Sequence, residues 1–282
     1  MESLFHNSTL RWLSQAAENP AGSYVFFGEP GHGKLKAAKK LGELLNVGAN
    51  ASSYMTIVKS EEDKSSIGVE QIRRLTSDLS LKAFGPQTHR IVVIVRAEEL
   101  TTDSQNALLK LIEEPPQRTV IILSVTDISA LLPTVRSRTQ SVYFPPLTHD
   151  VIQDFLIEHD GVARSLAIEV TPLSKGSIGI ARALVGDTKL LELYKALDLM
   201  VDEALGPHTF AKLMIAKKLV DSKTPIDIFV GRLQARIETL LRSGNSDTSL
   251  ELSRLEAIHR YLRRIANHLT PKVALESLLL EV

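Results

Sequence analysis

The chain has 282 residues, and its 33 Lys and Arg balance 33 Asp and Glu, so the formal net charge is zero. That length fits about two domains, and 44% hydrophobic with 23% charged residues is the make-up of a globular protein rather than a disordered one. Neutrality argues against holding nucleic acid by bulk positive charge, and the lack of any cysteine excludes disulfides, thiolate zinc sites, iron–sulfur clusters and cysteine nucleophiles. The start, Met1-Glu2-Ser3-Leu4-Phe5, lacks the basic and apolar regions of a signal peptide, and the apolar runs are strand-length, so a cytoplasmic protein with no membrane span is expected.

Runs rich in Val, Ile, Phe and Tyr read as buried strands at Ser23–Phe27, Tyr54–Val58, Arg90–Val95, Thr119–Ser124 and Gln140–Phe144. Helical patterns lie between them at Gly33–Asn46, Val69–Phe84 and Asp103–Glu113. In the second, Ile72, Leu75, Leu79 and Phe84 recur at near-helical spacing. This alternation predicts an α/β domain with a doubly wound parallel sheet, ended by Pro145-Pro146. Beyond Leu147 strand signals cease, and apolar residues such as Val151, Ile152, Phe155 and Leu156 fall at helical spacings. The expected organisation is an α/β domain over 1–147, a small helical unit over 148–187 and a helical domain over 188–282, with a helix–helix loop at Ser243-Gly244-Asn245-Ser246.

Gly28-Glu29-Pro30-Gly31-His32-Gly33-Lys34-Leu35 follows a predicted strand and opens a predicted helix, the context a phosphate-binding loop requires. Glycines let backbone N–H groups wrap a phosphate, and the lysine reaches the terminal phosphates. Gly28, Gly31, Gly33 and Lys34 are thus candidate nucleotide-binding residues. The next position should offer a hydroxyl to magnesium, and Leu35 has none. A working motor also needs an acid at the end of a neighbouring strand, where Val95 and Arg96 stand; Glu98 and Glu99 come too late and read as the start of a loop. Two separate losses argue that magnesium is not bound and that hydrolysis has gone. His32 reads as a tolerated loop residue.

Asp103 is expected to cap the helix that carries Asn106-Ala107-Leu108-Leu109-Lys110 and ends in Glu113-Glu114-Pro115-Pro116. Ala107, Leu108 and Leu111 give it a buried face and the prolines stop it. Glu113 and Glu114 stand against the negative end of the helix dipole, which suggests function. This stretch resembles the signature of the bacterial DNA polymerase III clamp-loader family, AAA+ proteins with a RecA-like sheet, a helical lid and an all-α collar. Leu131-Leu132-Pro133-Thr134-Val135-Arg136-Ser137-Arg138-Thr139 is similar to the family's Leu-Leu-x-Thr-x-Arg-Ser-Arg-Cys segment, with Thr139 in place of the cysteine. The resemblance implies that Arg138, beside Ser137, acts as an arginine finger in the ATP site of the adjacent subunit. Ile67-Gly68-Val69-Glu70-Gln71-Ile72-Arg73, Gly176-Ser177-Ile178-Gly179 and the closing stretch Asn267 with Ala274–Leu280 also look like family segments. At the fourth place of the second, hydrolysing relatives carry arginine; here it is Gly179, with Arg182 a turn on.

Within the family the chain is most similar to the non-hydrolysing delta-prime type. It lacks the P-loop hydroxyl, the magnesium acid and the zinc cysteines of the tau/gamma motors. The implied partners are tau/gamma motor subunits and a delta subunit, and through them the sliding clamp and primed DNA. No cofactor is then required, although weak ATP or ADP binding without hydrolysis is compatible. Two other readings stay open: a self-sufficient ATPase or motor-type subunit whose magnesium is held by Glu98 or water, and a nucleic-acid-binding adaptor. From Gly231 to Arg264 seven arginines (Arg232, Arg236, Arg242, Arg254, Arg260, Arg263, Arg264) face four acids, which predicts a solvated or partner-facing surface. Trp12 is expected in the core or against the sheet. Val125 and Thr126 both fit a sensor position, and only Thr126 could hydrogen-bond.

Overall fold

The structure is a computed structural model that describes residues 5–48, 50, 54–61, 64–81, 89–222, 224–244, 247–266 and 271–282. Phe84, Asn245, Ser246 and Asn267, named above, lie outside the described residues, as do the side chains of Arg263 and Arg264. The chain divides into two compact units, Met1–Gly186 and Asp187–Val282.

In the first unit, β1 (Ser23–Phe27), β2 (Met55–Val58), β3 (Arg90–Val95), β4 (Thr119–Val125) and β5 (Gln140–Tyr143) form a five-stranded sheet in the order β2-β3-β4-β1-β5. All of its pairings are parallel. Successive side chains of a strand point to opposite faces, and here both faces are apolar. Tyr24, Phe26, Ile91, Val93, Val120 and Ile122 pack with α1 (Asn7–Glu18) and α2 (Lys34–Leu45). Val25, Val92, Ile94, Ile121 and Leu123 pack with α3 (Val69–Leu81) and α4 (Thr102–Glu113). Each such side chain contributes about 1.5–3 kcal/mol on burial, which is why the strands read as continuous apolar runs.

Two local expectations change. Helix α1 was not foreseen, because its buried positions are Thr9, Leu13 and Ala16, a weak apolar stripe; Trp12 crosses from it to stand edge-on over Tyr24 at 5.2 Å and Phe26 at 4.9 Å. The cap of α4 is Thr101 rather than Asp103: its Oγ1 accepts from the Ser104 N–H at 3.2 Å. Asp103 sits instead in the first turn, where its charge favours the dipole.

A short helix α5 (Pro133–Arg136) leads into β5. Three helices, α6 (His149–Glu158), α7 (Arg164–Leu173) and α8 (Ile178–Gly186), complete this unit. The second unit contains α9 (Thr188–Ala204), α10 (Thr209–Asp221), α11 (Ile226–Ser243), α12 (Thr248–Ala266) and α13 (Pro271–Glu281) around a core that includes Leu197, Phe229, Ile258 and Leu275. Gly244, at φ 65°, ends α11 in the left-handed conformation. Among the described residues no helix is long and apolar enough to cross a membrane.

Two arginines of this unit, Arg232 and Arg254, depart from the expected solvated or partner-facing surface, while Arg236 and Arg242 are exposed. Arg232 is only 4% exposed; it pairs with Asp198 at 2.5 Å and lies 4.9 Å over the Tyr194 ring. Arg254 donates to the carbonyls of Val282 and Leu205 and pairs with Glu251, and Arg260 pairs with Glu281 at 2.7 Å. Several of these partners lie far off in sequence, so local charge counting could not find them. One turn from Arg232, Arg236 makes the same kind of pair with Asp202, but both side chains are 51% exposed. Removing one member of a buried pair leaves a desolvated charge, whereas exposed pairs are worth little. Asp198→Asn is therefore expected to lower stability by about 2 kcal/mol, because Asp198 is partly solvated, and Asp202→Asn by under about 0.5 kcal/mol. Urea unfolding monitored by circular dichroism would measure both.

Candidate functional site

The candidate loop begins where β1 ends, at the carboxyl edge of the sheet between β4 and β5. The Gly28 N–H donates to the Thr126 carbonyl at 3.2 Å, and a side chain at Gly28 would place its Cβ 2.5 Å from the Phe144 carbonyl oxygen, at φ 139°. Only glycine fits that approach. Gly31 and Gly33 also take left-handed angles, 86° and 88°, so the loop has the backbone of an anion cradle opening into the N-terminus of α2. An open cleft lined by Phe5, Leu10, Val151, Phe155 and His159, together with Asp154 and Glu158, lies near Gly33.

Other groups of the same chain contact this loop. A Cβ on Gly31 would stand 2.0 Å from the Ser177 Oγ, so the Gly-Ser segment ahead of α8 is seated against the loop. His32 spans the two sides: Nδ1 is 3.2 Å from the Phe144 carbonyl and Nε2 is 3.3 Å from the Lys175 carbonyl. The Lys34 ammonium donates to the Gly28 carbonyl, and to the Glu29 carbonyl at 3.0 Å. Burial lowers its pKa, with Glu98 and then Glu29 opposing that shift. The Glu98 carboxylate accepts from the Thr126 hydroxyl at 3.0 Å, and its Oε2 is buried with no hydrogen-bond partner among the described residues. Glu98 therefore belongs to the loop's surroundings and is more than the start of a connection. Of the two sensor candidates, Val125 is in the core and Thr126 holds Glu98.

Magnesium does not fit this donor set. Leu35 offers no oxygen, Val95 ends its strand without a carboxylate, and Arg96, at φ 55°, turns out to pair with Glu99 at 2.9 Å. Among the described residues no cluster of three or more His, Asp or Glu could hold a metal. Arg182, the arginine a turn beyond Gly179, is engaged by Asp160 in a forked pair and lies over the Phe155 ring at 5.1 Å.

The other candidate lies at the opposite edge of the sheet. Ser23, which starts β1, donates to the Ile112 carbonyl at 3.1 Å, so the end of α4 is fastened to the amino end of β1. Arg138, two residues before β5, sits there too: its Nε donates to Glu113, and its Nη1 donates to the Thr134 carbonyl at 3.1 Å and the Ser137 Oγ at 3.3 Å. Its side chain is 41% exposed. β1 separates this arginine from the chain's own loop by on the order of 15 Å at about 3.3 Å per residue.

The family described as DNA polymerase III, delta subunit, matches residues 6–148, which include both the loop and Arg138. The chain belongs to that clamp-loader family. Its relatives include the delta-prime subunit of Bacillus subtilis, 32% identical over 49% of this chain and 46% of that protein, and that of Escherichia coli, 31% identical over 50% and 42%. The gamma/tau subunit of Mycobacterium bovis is 30% identical over 50% of this chain and 28% of that protein. The match thus spans less than half the length of these relatives. A DNA polymerase III gamma subunit-related protein of Thermotoga maritima has the same fold, with a TM-score of 0.56, 21% identity and coverage of 96% of this chain and 97% of that one.

Sequence reasoning named Gly28, Gly31, Gly33, Lys34, Ser137 and Arg138. The structure gathers the first four at one edge of the sheet and the last two at the other. It undervalued His32, since only tertiary folding brings Phe144 and Lys175 to the ring. Burial pushes the His32 imidazole below its ordinary value of 6.5, outweighing the Lys175 and Phe144 carbonyls and Glu29, which raise it. Below that value the unfolded chain takes up a proton more readily than the folded one, so stability falls as pH drops through that window. His89 is shifted the same way by burial and Arg118, so the comparison must be between variants. His32→Gln is expected to make the loss of thermal stability from pH 6.5 downward visibly shallower; an unchanged slope in calorimetry would contradict this packing.

Proposed function

We propose that this chain is a delta-prime-type subunit of the bacterial clamp loader. It does not hydrolyse ATP and supplies Arg138 in trans to the ATP site of a neighbouring tau/gamma-type motor subunit, while the sliding clamp is placed on primed DNA. The observation that carries this reading is the position of Arg138. It lies at the sheet edge opposite the chain's own loop, half-exposed, where it cannot serve that loop but is open to another chain. A permanently charged, forked guanidinium suits the equatorial oxygens of a phosphoryl group in transfer.

The chain's own loop supports the same reading. Its lysine, its histidine and the Gly31 position are engaged by neighbours within the chain, and both magnesium ligands are missing. ATP or ADP would bind weakly at most, through the backbone of Gly31 and Gly33 and the charge of Lys34, after displacing Lys34 from the carbonyls. The neighbouring apolar cleft with its aromatic rings suits a flat base better than a phosphate, because Asp154 and Glu158 line it. The helices of the second unit would form the oligomeric collar, with the delta subunit as a further partner.

ATP hydrolysis by reconstituted delta and motor subunits, with clamp and primed DNA, tests this with wild-type chain, with Arg138→Ala, and without the chain. Wild type should stimulate. Arg138→Ala should lower turnover at the interface it serves by about 10³–10⁵-fold, with assembly intact by size-exclusion chromatography. Equal turnover in all three would end the proposal. One observation favours the motor-type alternative: the unpartnered Glu98 oxygen in the loop's surroundings. That alternative requires magnesium-dependent hydrolysis by the chain alone, abolished by Lys34→Ala; the expected result is none.

A further inference from the structure

Glu113 stands at the C-terminal end of α4, where the helix dipole disfavours an anion. Its carboxylate meets the Nε of Arg138, from 25 residues further along the chain. A guanidinium carries five N–H groups in one rigid plane. Here Nε–H goes to Glu113, and Nη1 faces both the Thr134 carbonyl at 3.1 Å and the Ser137 Oγ at 3.3 Å. The Ser137 hydroxyl donates its own hydrogen to the Thr134 carbonyl at 3.2 Å, so its oxygen is left to accept. These partners fix the plane and roll of the group. Among the described residues Nη2 has no acceptor, so its two N–H groups are the free edge of a side chain that is 41% exposed.

Resting on the finger reading above, we propose that Glu113 is a positioning residue for Arg138. Together with the Thr134 carbonyl and Ser137, it holds the guanidinium so that Nη2 projects outward to an anionic oxygen of phosphate type on the neighbouring subunit. A long flexible side chain that is already oriented loses less freedom when the phosphate arrives. Ser137 has the lesser part, because its hydroxyl is a neutral acceptor. The placement of an acid against the dipole follows from this: the position is set by the arginine it must meet, not by the helix.

The test uses the reconstituted loader with ATP, clamp and primed DNA, and compares Glu113→Ala, Glu113→Gln, Arg138→Ala and the double variant Glu113→Ala/Arg138→Ala. A finger acts in the transition state, so a misaimed one lowers kcat and leaves KM in place. Glu113→Ala is expected to lower kcat by about 10- to 100-fold with little change in KM. Glu113→Gln, which keeps an acceptor oxygen of the same reach, should recover most of that loss. The double variant should match Arg138→Ala alone, because residues acting as one unit are non-additive. A Glu113→Ala loader as active as wild type, or a double variant worse than Arg138→Ala by the full Glu113 factor, overturns the positioning role while the finger reading stands. Arg138→Ala without effect removes both.

Discussion

Every ladder hydrogen bond of β1 is taken up by β4 on one side and β5 on the other, with Phe27 opposite Val125 and Tyr143 at its end. That central pairing decides where the chain can do chemistry. At the carboxyl end of β1 the backbone leaves the sheet between two strands that run elsewhere, the switch point at which open parallel sheets place ligands, and the glycine loop stands there. At the amino end Ser23 is tied to the last turn of α4, which brings Glu113 to Arg138. Because β1 is buried on both faces and bonded on both edges, the two places cannot approach each other. On the reading proposed above, that separation leaves Arg138 to act on another chain's substrate rather than at its own loop.

The loop keeps the shape of a phosphate cradle while its contents have changed. Positive φ at Gly28, Gly31 and Gly33 preserves the turn, but the groups that should face a nucleotide face the protein. A half-buried ammonium must find acceptors, and Lys34 finds them in the carbonyls of Gly28 and Glu29. His32 joins the ends of the loop's walls. These contacts give the loop partners within its own chain.

The charged residues make the same point about magnitude. An acid against the end of a helix dipole costs roughly 0.3–1 kcal/mol, and an exposed ion pair returns about 0–1 kcal/mol. The Glu113–Arg138 pair is thus near zero as a source of stability, and stability does not account for its placement. Arg232, by contrast, is buried beneath Asp198 and Tyr194 and belongs to the scaffold of the second unit. Arg232 was simply one arginine in a row of charged helices until its surroundings were known.

What the sequence determined by itself depends on neighbours along the chain, though not all of that was legible: the Thr101 cap and the helix Asn7–Glu18 were missed. Strand apolarity, the positions of glycines and prolines, and the missing hydroxyl at Leu35 are local facts, and they sufficed for the parallel sheet and for the loop without its magnesium hydroxyl, whereas Arg138 was singled out by the family resemblance. Tertiary structure decided which distant groups meet. Thr126 rather than Val125 turns toward Glu98, and His32 finds carbonyls 112 and 143 residues away. The buried stripe of α1 relies on a threonine, so its period was faint until the sheet that it covers was in place. Pairings across the fold leave no periodic trace in sequence, because a hydrogen bond or ion pair needs only one atom at the right place and any loop length will bring it there.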